Sequence, residues 1–512
     1  MSGTDSDDLS DDEKTVYNPI KKPESKAILT EEIKLRMEEK KKQDIEEERL
    51  TREMNENPMF IKICNLFFKK KRNIFLSGPG GVGKTYMMKY LKKEAIRREK
   101  IIQVTSTTGV SASNIGAITL HSFIGAGLAD KPLEQVVKML KKNKETIYRL
   151  QNTDIIFVDE ISMCGAVFFE KCDNILRTIR KTRLPFGGIQ LLVSGDFMQL
   201  KAVNDDFCFK TQTWQDLDFK IVRLTVPYRF RDKHFFDILQ RIRYGMKDSK
   251  DILELKKRVA AHSEFKKTGL MLNSTYLVHI QALKKFPTDI ENLIGIYLAD
   301  PDIKPTTLFS MRKDVKRINK EEMDKLPGIE KKYRCDDIVT EKDKKTIVKA
   351  DKSLDWFKNQ IEPTVNSVVG FKVGAQVMLT KNIAPDLGHA NGSRGIVVAV
   401  NEISVDVRFI NGTILQLSKL AHTLESENFV FSRYQIPLIP CWSTTIHKIQ
   451  GSTLDSAIMD LGNTVFEAGI VYVALSRLRS LDDFCISEFL PAKISAHEDA
   501  LEFETEMLSQ CQ

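Results

Sequence analysis

The sequence predicts an α/β protein built on a parallel β-sheet with helices on both faces, followed by a second α/β unit and a small inserted β-barrel. Three observations lead to this fold class. Five apolar runs alternate with amphipathic segments up to about residue 225, a glycine-rich loop follows the first run, and short strand-like runs cluster between about 330 and 435. Buried parallel strands separated by helices produce the first pattern, and short strands between turns produce the last.

The first unit is predicted from apolar runs that each end in polar residues. Because helical stretches separate most of these runs, the strands should be parallel and their polar ends should meet at one edge of the sheet. Binding residues in such sheets collect beyond the carboxyl ends of the strands, so we expect the functional site there. The runs are NIFLSG at 73–78, IIQVTS at 101–106, DIIFVDE at 154–160, IQLLVSGD at 189–196 and KIVRLT at 220–225.

A second α/β unit begins near residue 226 and is interrupted by the predicted barrel. TTLFSM precedes the amphipathic DVKRINKEEMDKL, and the unit resumes at SAIMDL. Between these parts, VGAQVMLT, RGIVVAV, ISVDVRFI and TILQLS are short runs separated by turn signals such as Asn-Gly. The predicted segments are a charged tail at 1–55, the first lobe at 56–225, the second lobe at 226–330 and 436–490, the barrel at 331–435 and a C-terminal tail at 491–512.

Composition and charge narrow the class of protein. The 512 residues are 42% hydrophobic and 29% charged, as in soluble globular proteins with several domains. No apolar run reaches the roughly 18 residues of a membrane span, and the acidic N-terminus is unlike a signal peptide. We therefore expect an intracellular protein without a membrane partner. The net charge of +8 suits a protein whose partner is a polyanion. The pattern of residues 30–55 favours a solvated helix over a helix that binds a partner.

A phosphate-binding loop is the strongest chemical signal. It lies between the first predicted strand and the amphipathic YMMKYLKKEAIRRE, where loop amides and a helix N-terminus can surround phosphates. The ammonium of Lys84 can reach the terminal phosphates, and the hydroxyl of Thr85 can bind Mg²⁺. The alternative is a glycine-rich turn without function, and the strand and helix context favours nucleotide binding. The loop comprises Gly78, Pro79, Gly80, Gly81, Val82, Gly83, Lys84 and Thr85.

Two carboxylates end the third predicted strand. Asp159 and Glu160 close the run DIIFVDE, and in isolation they could simply be polar residues that end a strand at the protein surface. A phosphate loop upstream changes their interpretation, because phosphoryl transfer needs a carboxylate for the Mg²⁺ shell and a group that orients or deprotonates the attacking water. We assign Asp159 to the metal and Glu160 to the water.

Two arginines lie beside apolar segments, Arg229 in LTVPYRF and Arg477 in VYVALSRLRS. A single arginine is usually a surface or ion-pair residue. Hydrolysis of a nucleoside triphosphate, however, develops charge on the γ-phosphate, and arginines from a neighbouring domain can stabilise that charge. Both residues are therefore candidates, and spacing alone does not assign them.

Seven separate blocks occur in the order typical of superfamily-one helicases. They are GPGGVGKT, VTSTTGVSASNIGAITLHSF, IIFVDEISM, PFGGIQLLVSGDFMQL, LTVPYRF, TIHKIQGSTLD and VYVALSR. From about residue 60 to 490 the chain resembles the Pif-type (petite integration frequency) DNA helicases, which are related to RecD. The block KCDNILRTIRKTRLPFGGIQLLVSGDF is the hallmark of that family.

The resemblance implies two RecA-like P-loop NTPase lobes, an SH3-like β-barrel and a small wedge insert near residues 122–135. It implies a motor that uses ATP and Mg²⁺ to move 5′ to 3′ on single-stranded DNA. Such a motor unwinds duplex or forked DNA in replication, recombination or repair. The expected motor is monomeric, and its N-terminal tail is a candidate for binding replication proteins.

The likeness also implies roles for individual residues. Gln199 is expected to contact the γ-phosphate region, with Asp196 either beside it or only holding the loop in place. Arg229 and Arg477 become phosphate-facing fingers. The block that couples the nucleotide to DNA contains Gln450 and Gly451.

DNA contacts are implied for hydroxyl, aromatic and basic residues of two blocks. An aromatic ring such as that of Phe123 can stack on a base, although a position in the core is the favoured alternative for it. His447 suits a DNA contact and a structural hydrogen bond equally well. The expected DNA-binding residues are Thr105, Thr107, Thr108, His121, Phe123, His447 and Lys448.

The chain departs from the family near the nucleotide. NENPMFIKICNLFFKKKRN, before the phosphate loop, lacks the Gln that reads adenine in this group, and Phe230 stands where a Gln usually follows the arginine. The sequence therefore leaves the choice of nucleotide base open.

Other functions compete with an active helicase. A translocase, a RecD-like nuclease subunit and a nucleic-acid-binding scaffold share parts of the pattern. The intact catalytic positions argue against a silent scaffold, and no carboxylate cluster outside the motor supports a nuclease. A nucleus, a mitochondrion and a virus replication site are all compatible locations.

Overall fold

A computed structural model of the chain describes residues 49, 51–115, 117–125, 132–141, 144–268, 303–341, 358, 361–362, 365–381, 383–384, 389, 391–425 and 429–510. The predicted acidic tail and most of the predicted helix at 30–55 lie outside the described residues. The predicted wedge insert is only partly described, because residues 126–131 are not. The chain divides into two compact units, Met1–Ile61 and Lys62–Gln512.

Residues 51–56 are helical, and helix α1 spans Pro58–Cys64. Asn57 caps α1, since its side-chain oxygen accepts hydrogen bonds from the amides of Met59 at 2.9 Å and Phe60 at 3.2 Å. Pro58 follows the cap, where its missing N–H costs nothing. A π-helical turn, Asn65–Lys69, continues α1.

The first lobe is built on a six-stranded sheet. Its strands are β1 Ile74–Ser77, β2 Ile102–Ser106, β3 Ile118–Thr119, β4 Ile155–Asp159, β5 Gln190–Gly195 and β6 Lys220–Arg223. The order is β3-β2-β4-β5-β1-β6, and every neighbouring pair is parallel. All residues of β1 and β4 are buried, as expected for strands covered on both faces. The predicted parallel sheet is confirmed.

Helices and 3₁₀ turns connect these strands. The amphipathic helix α7, Ala166–Arg180, buries Phe169, Ile175 and Leu176 in the apolar core of the first lobe, which explains why it packs beside the sheet. The helices are α2 Lys84–Arg97, α3 Gly109–Asn114, α4 Leu120–Ile124, α5 Leu133–Leu140, α6 Lys144–Asn152, α7 Ala166–Arg180 and α8 Gln212–Asp216. The 3₁₀ turns are Ile161–Met163, Pro185–Gly188 and Cys208–Lys210.

The second lobe has a four-stranded sheet with its own apolar core. Its strands are β7 Thr306–Phe309, β18 Ser443–Thr445, β19 Ala457–Leu461 and β20 Phe484–Phe489. They pair in parallel in the order β18-β7-β19-β20. The helices are α9 Lys233–Arg243, α10 Ser249–Thr268, α11 Arg312–Lys325 and α12 Ile470–Leu475, with 3₁₀ turns at His447–Ile449, Leu481–Asp483 and Pro491–Lys493.

Antiparallel sheets lie between the two parts of the second lobe. The strands are β8 Lys331–Arg334, β9 Asp336–Glu341, β10 Val368–Phe371, β11 Gln376–Leu379, β12 Arg394–Val400, β13 Ser404–Phe409, β14 Ile414–Ser418, β15 Leu420–Glu425, β16 Phe429–Gln435 and β17 Leu438–Pro440. They form sheets ordered β10-β8, β14-β13-β12-β11-β17 and β15-β16-β9. Residues such as Phe371, Val377 and Val407 fill a separate apolar core here.

The last segment, expected as a tail, contains helix α13, Glu498–Gln510. Ala500 and Met507 of α13 are buried in the core of the first lobe, and Phe503 stacks on Phe209 with ring centroids 4.2 Å apart. The chain thus returns to the first lobe after completing the second. Among the described helices, none combines the length and the apolar character needed to cross a membrane.

Candidate functional site

The glycine-rich loop connects β1 to α2, as the sequence predicts. Gly81 and Gly83 have φ angles of 82° and 83°, a region that side chains with a Cβ rarely adopt. A Cβ on Gly81 would also lie 2.8 Å from both the Cβ of Arg229 and the ring of Phe230. The ammonium of Lys84 donates hydrogen bonds to the carbonyl oxygens of Gly78 at 2.8 Å and Pro79 at 3.0 Å. Burial lowers the pKa of Lys84.

Thr85 and Asp159 meet beneath this loop. The Thr85 hydroxyl donates to Oδ2 of Asp159 at 2.9 Å. The other carboxylate oxygen accepts hydrogen bonds from the Ser194 hydroxyl and, at 3.0 Å, from the Glu160 amide. Hydroxyl and carboxylate oxygens are the hard ligands that Mg²⁺ prefers, so the predicted metal pair fits that ion.

Glu160 has a left-handed backbone conformation, with φ 53°, directly after β4. Burial raises the pKa of its carboxyl group, and the neighbouring Asp159 charge raises it further. The side-chain amide of Gln450 donates to Oε2 of Glu160 at 3.4 Å, which stabilises the charged form. Glu160, which the sequence analysis assigns to the attacking water, therefore contacts the block expected to couple nucleotide to DNA. Strained backbone of this kind is typical of functional positions.

The two candidate arginines both contact Ser476. Arg477 is 2% exposed, and its Nη2 is 2.8 Å from the Ser476 hydroxyl oxygen and 3.4 Å from Oε1 of Gln199. Arg229 donates from Nη1 to the Ser476 carbonyl oxygen at 2.8 Å. Burial, together with the nearby Arg477, lowers the pKa of Arg229 to about 9. Two guanidinium groups held this closely favour an anion between or beside them.

A cavity of about 670 Å³ brings these residues together. This volume is in the range of small-molecule sites. Five of the lining residues are not among the predicted site residues, namely Tyr228, Phe230, Arg231, Thr453 and Arg479. Each lies within two residues of a motif position, which is the only signal that could have found them. The lining is formed by Gly80, Gly81, Gly83, Lys84, Thr85, Glu160, Gln199, Tyr228, Arg229, Phe230, Arg231, Gly451, Thr453, Arg477 and Arg479.

Two predicted DNA-contact residues are buried. Thr105 is 0% exposed in β2, and its hydroxyl donates to the Phe157 carbonyl oxygen at 2.8 Å. Phe123 is also 0% exposed and belongs to the core of the first lobe, with the Arg149 guanidinium 5.6 Å from its ring centroid. Neither side chain exposes surface that a DNA strand could contact in this structure. Phe123 occupies a core position, which was the favoured alternative for it.

Three other predicted contacts lie nearer the surface of the first lobe. The Thr107 hydroxyl donates to the Glu160 carbonyl oxygen at 2.8 Å, and the Thr108 hydroxyl accepts from the Ser111 amide at 3.2 Å. The His121 ring stacks on Phe168 with centroids 3.6 Å apart, and burial lowers its pKa to about 4. His121 is therefore neutral at physiological pH and offers no charge to a phosphate.

The remaining predicted contacts lie in the second lobe. Lys448 is exposed, whereas Nε2 of His447 is 3.5 Å from Oε2 of Glu467. The His447 ring is nearly parallel to that of Phe466, with centroids 6.0 Å apart. Phe466 is 62% exposed, so an aromatic ring beside His447 is accessible to solvent. It lies outside the motif blocks, so no sequence pattern pointed to it.

Two protein-family models match the chain. The model described as PIF1-like helicase matches residues 51–252, and the one described as DNA helicase Pif1, 2B domain matches residues 357–400.

Individual relatives match over most of the chain. The ATP-dependent DNA helicase PIF1 of Danio rerio is 33% identical over 441 residues, which cover 84% of this chain and 61% of that protein. The chain thus spans about 61% of the length of this curated relative. The crystal structure of Pif1 helicase from Candida albicans aligns with a TM-score of 0.69 and 26% identity, covering 88% of this chain and 99% of that one. A Pif1 helicase from Bacteroides in complex with ADP-AlF3 and ssDNA aligns with a TM-score of 0.59 and 25% identity, covering 89% and 97%.

Proposed function

The chain belongs to the PIF1-like helicase family, and from this membership we propose that it is an ATP-dependent DNA helicase. The proposed enzyme moves 5′ to 3′ on single-stranded DNA and unwinds duplex and forked DNA. One observation carries the proposal: a single cavity is lined by Lys84, Glu160, Gln199, Arg229 and Arg477. These are the group types that phosphoryl transfer to water needs, contributed by two lobes. The polarity follows from family membership alone.

The proposed nucleotide is ATP with Mg²⁺. The Thr85 hydroxyl and the Asp159 carboxylate would hold the ion, and their 2.9 Å contact supports this assignment. Bound there, the ion would neutralise charge on the phosphate oxygens. Tyr228 lines the cavity and is 70% exposed. Its aromatic ring suits packing against a nucleotide base and would not select adenine by hydrogen bonds.

Each cavity residue has a proposed role. Lys84 neutralises the terminal phosphates, and Glu160 accepts a proton from the attacking water. Arg229 and Arg477 stabilise the charge that develops on the γ-phosphate. Because Arg477 belongs to the second lobe and Lys84 to the first, nucleotide binding favours closure of the lobes, and hydrolysis relaxes it. Alternating closure moves a DNA strand that both lobes hold.

The proposed DNA path uses the accessible members of the predicted set. Thr107, Thr108 and Lys448 can hold the backbone by sequence-independent contacts, whose strength falls with salt. Proposed partners are single-stranded and forked DNA. The antiparallel sheets within residues 331–440 are proposed to form the SH3-like barrel of the family, and the two parallel-sheet lobes are proposed to be RecA-like.

DNA-stimulated ATP hydrolysis tests the proposal. We expect single-stranded DNA to increase the hydrolysis rate of the wild type at least about tenfold, and Lys84→Ala to abolish it because the terminal phosphates lose their cation. Lys256→Ala, an exposed lysine on α10, is the matched control and should hydrolyse ATP like the wild type. A wild type without stimulated hydrolysis, or a Lys84→Ala variant that retains it, would disprove the proposed motor. Duplexes with a single 5′ or 3′ tail then test the polarity.

A further inference from the structure

The hydroxyl of Tyr472 lies between the phosphate loop and Asp196. Tyr472 is 2% exposed on α12, and its oxygen accepts a hydrogen bond from the Gly80 amide at 2.8 Å. It donates to Oδ2 of Asp196 at 3.0 Å. An amide can only donate and an ionised carboxylate can only accept, so these two partners fix the direction of the hydroxyl proton. The Gly80 amide therefore meets an oxygen lone pair of defined position.

Asp196 is held in its ionised form by its surroundings. It follows β5 and is 0% exposed, so burial by itself would raise its pKa. The Arg243 guanidinium donates to Oδ1 at 2.7 Å from Nη2 and at 3.1 Å from Nε. Arg243, together with the Tyr472 hydroxyl, holds the pKa of Asp196 below its ordinary value. A buried charge with this many donors resists displacement, because losing one partner leaves it uncompensated.

The same guanidinium reaches the last helix of the chain. Arg243 donates from Nη1 to Oε1 of Glu504 at 2.9 Å, and both side chains are buried. Glu504 belongs to α13, whose apolar residues are in the core of the first lobe. Arg243 ends α9, and the apolar residues of α9 and α12 are in the core of the second lobe. These successive hydrogen bonds therefore connect both lobes to the phosphate loop.

We propose that Tyr472 is a positioning residue, which fixes the direction of the Gly80 amide and thereby sets the affinity of the loop for the phosphate chain of a nucleoside triphosphate. Glu504, acting through Arg243 and Asp196, supports Tyr472. The Gly80 N–H is occupied by Tyr472, so phosphates bind the loop amides that follow it. A loop anchored at Gly80 presents those N–H groups in fixed directions before the ligand arrives. This role rests on the proposed function, because it concerns the same nucleotide site.

The substitution Tyr472→Phe tests the role, because it removes only the hydroxyl. We expect the KM for ATP to rise about 3- to 10-fold, the effect of one hydrogen bond, while kcat at saturating ATP and DNA changes less than about twofold. Tyr333→Phe is the matched control. Tyr333 is 4% exposed and donates to the carbonyl oxygens of Asn401 at 2.6 Å and Ser404 at 3.0 Å, far from the loop in sequence and sheet. The Tyr333→Phe variant should lose about as much thermal stability as Tyr472→Phe, and its KM for ATP should be unchanged.

Glu504→Gln tests the support from α13 and remains informative if Tyr472→Phe does not fold. It keeps the side-chain shape and removes the charge that Arg243 contacts, so the KM should also rise. Glu502→Gln, an exposed position on the same helix, should not change it. In the double variant the two effects on KM should be less than multiplicative, because both act through one network.

The positioning role fails if the wild type hydrolyses ATP and neither Tyr472→Phe nor Glu504→Gln raises the KM beyond its control. A wild type that hydrolyses no ATP overturns the proposed function instead. In that case the affinity for a fluorescent ATP analogue decides the role of Tyr472. Equal affinities of the wild type and Tyr472→Phe then overturn it, and a 3- to 10-fold loss in the variant supports it.

Discussion

The Nη2 atom of Arg477 lies 3.4 Å from Oε1 of Gln199, so a side chain that follows α12 meets one that follows β5 in the lining of the cavity. Both side chains are 2% exposed. In such a buried position a guanidinium interacts strongly with any nearby anion. The contact also gives Gln199 a direct connection from the edge of the first sheet to the second lobe. A change in the charge near Gln199 can therefore be transmitted between lobes through Arg477.

We expect Arg477→Lys to lower kcat for ATP hydrolysis about 10³-fold, the lower end of the effect of an arginine finger. Lysine keeps a positive charge but loses the planar guanidinium, whose Nη2 contacts Gln199 and Ser476 while its Nε donates to the Val473 carbonyl oxygen. Steady-state hydrolysis at saturating DNA measures the effect. Arg334→Lys, at an exposed position of β8, serves as the control. A loss of less than about threefold in Arg477→Lys would contradict the role.

The pH dependence of hydrolysis should follow the ionisation of Glu160. Burial and the Asp159 charge raise its pKa, and a general base must be ionised, so the rate should fall as the pH drops through that raised pKa. Gln450→Met removes the amide that stabilises the ionised form. We expect the acidic limb of the kcat/KM profile to shift to higher pH in this variant. Gln416→Met, exposed on β14, should leave the profile in place; a shift to lower pH in Gln450→Met would refute the assignment.

Phe123 should affect folding and not DNA binding. The ring is 0% exposed in the core of the first lobe, so Phe123→Leu removes packing and should cost about 1 kcal/mol of stability. Its Kd for single-stranded DNA should equal that of the wild type. Thermal unfolding and a fluorescence-anisotropy titration measure the two quantities. Weaker DNA binding without a change in stability would restore the stacking interpretation.

Phe466 is the better candidate for stacking on a base. It is 62% exposed, and its ring lies nearly parallel to His447. Base–aromatic stacking contributes about 1–3 kcal/mol per base, so Phe466→Ala should weaken binding to single-stranded DNA at least about fivefold. Because the side chain is exposed, stability should hardly change. Phe466→Trp keeps an aromatic surface and should retain the affinity, and equal affinities of the alanine variant and the wild type would exclude stacking.

The parts of the molecule that local patterns encode were predictable from the sequence. β1, the phosphate loop and α2 follow one another within 73–97, and the apolar run, glycines and amphipathic stretch each have a local cause. The meeting of Thr85 with Asp159 was also predictable, because parallel strands bring their carboxyl ends to one edge of the sheet.

Roles that depend on distant partners were not predictable. Thr105 looks like a polar strand end in the sequence, yet its hydroxyl is satisfied by the neighbouring β4 and has no exposed surface. The sequence left open whether Asp196 lies beside the γ-phosphate region or only holds the loop in place. Its partner Arg243 is 47 residues away in sequence, and Glu504, which Arg243 also contacts, lies a further 261 residues along the chain. No local pattern links these three residues, since they meet only in the folded chain, where Arg243 at the end of α9 contacts both Asp196 and Glu504 of α13.

Arg394 connects the antiparallel sheets to the second lobe. It begins β12, its side chain is 1% exposed, and it donates to the Lys304 carbonyl oxygen at 2.7 Å and to the Thr306 hydroxyl at 3.0 Å. It also pairs with Asp455, whose side chain is 46% exposed. Because solvent screens the pair with Asp455, the buried contacts should contribute most of the stability.

We expect Arg394→Met to lower the midpoint of thermal unfolding by at least about 4 °C, since the buried Thr306 hydroxyl and the Lys304 carbonyl oxygen each lose a donor. Asp455→Asn should lower it by less than about 2 °C, because an exposed ion pair contributes little. Differential scanning calorimetry of both variants beside the wild type measures the shifts. If Asp455→Asn were as damaging as Arg394→Met, the ion pair and not the buried hydrogen bonds would join β12 to the second lobe.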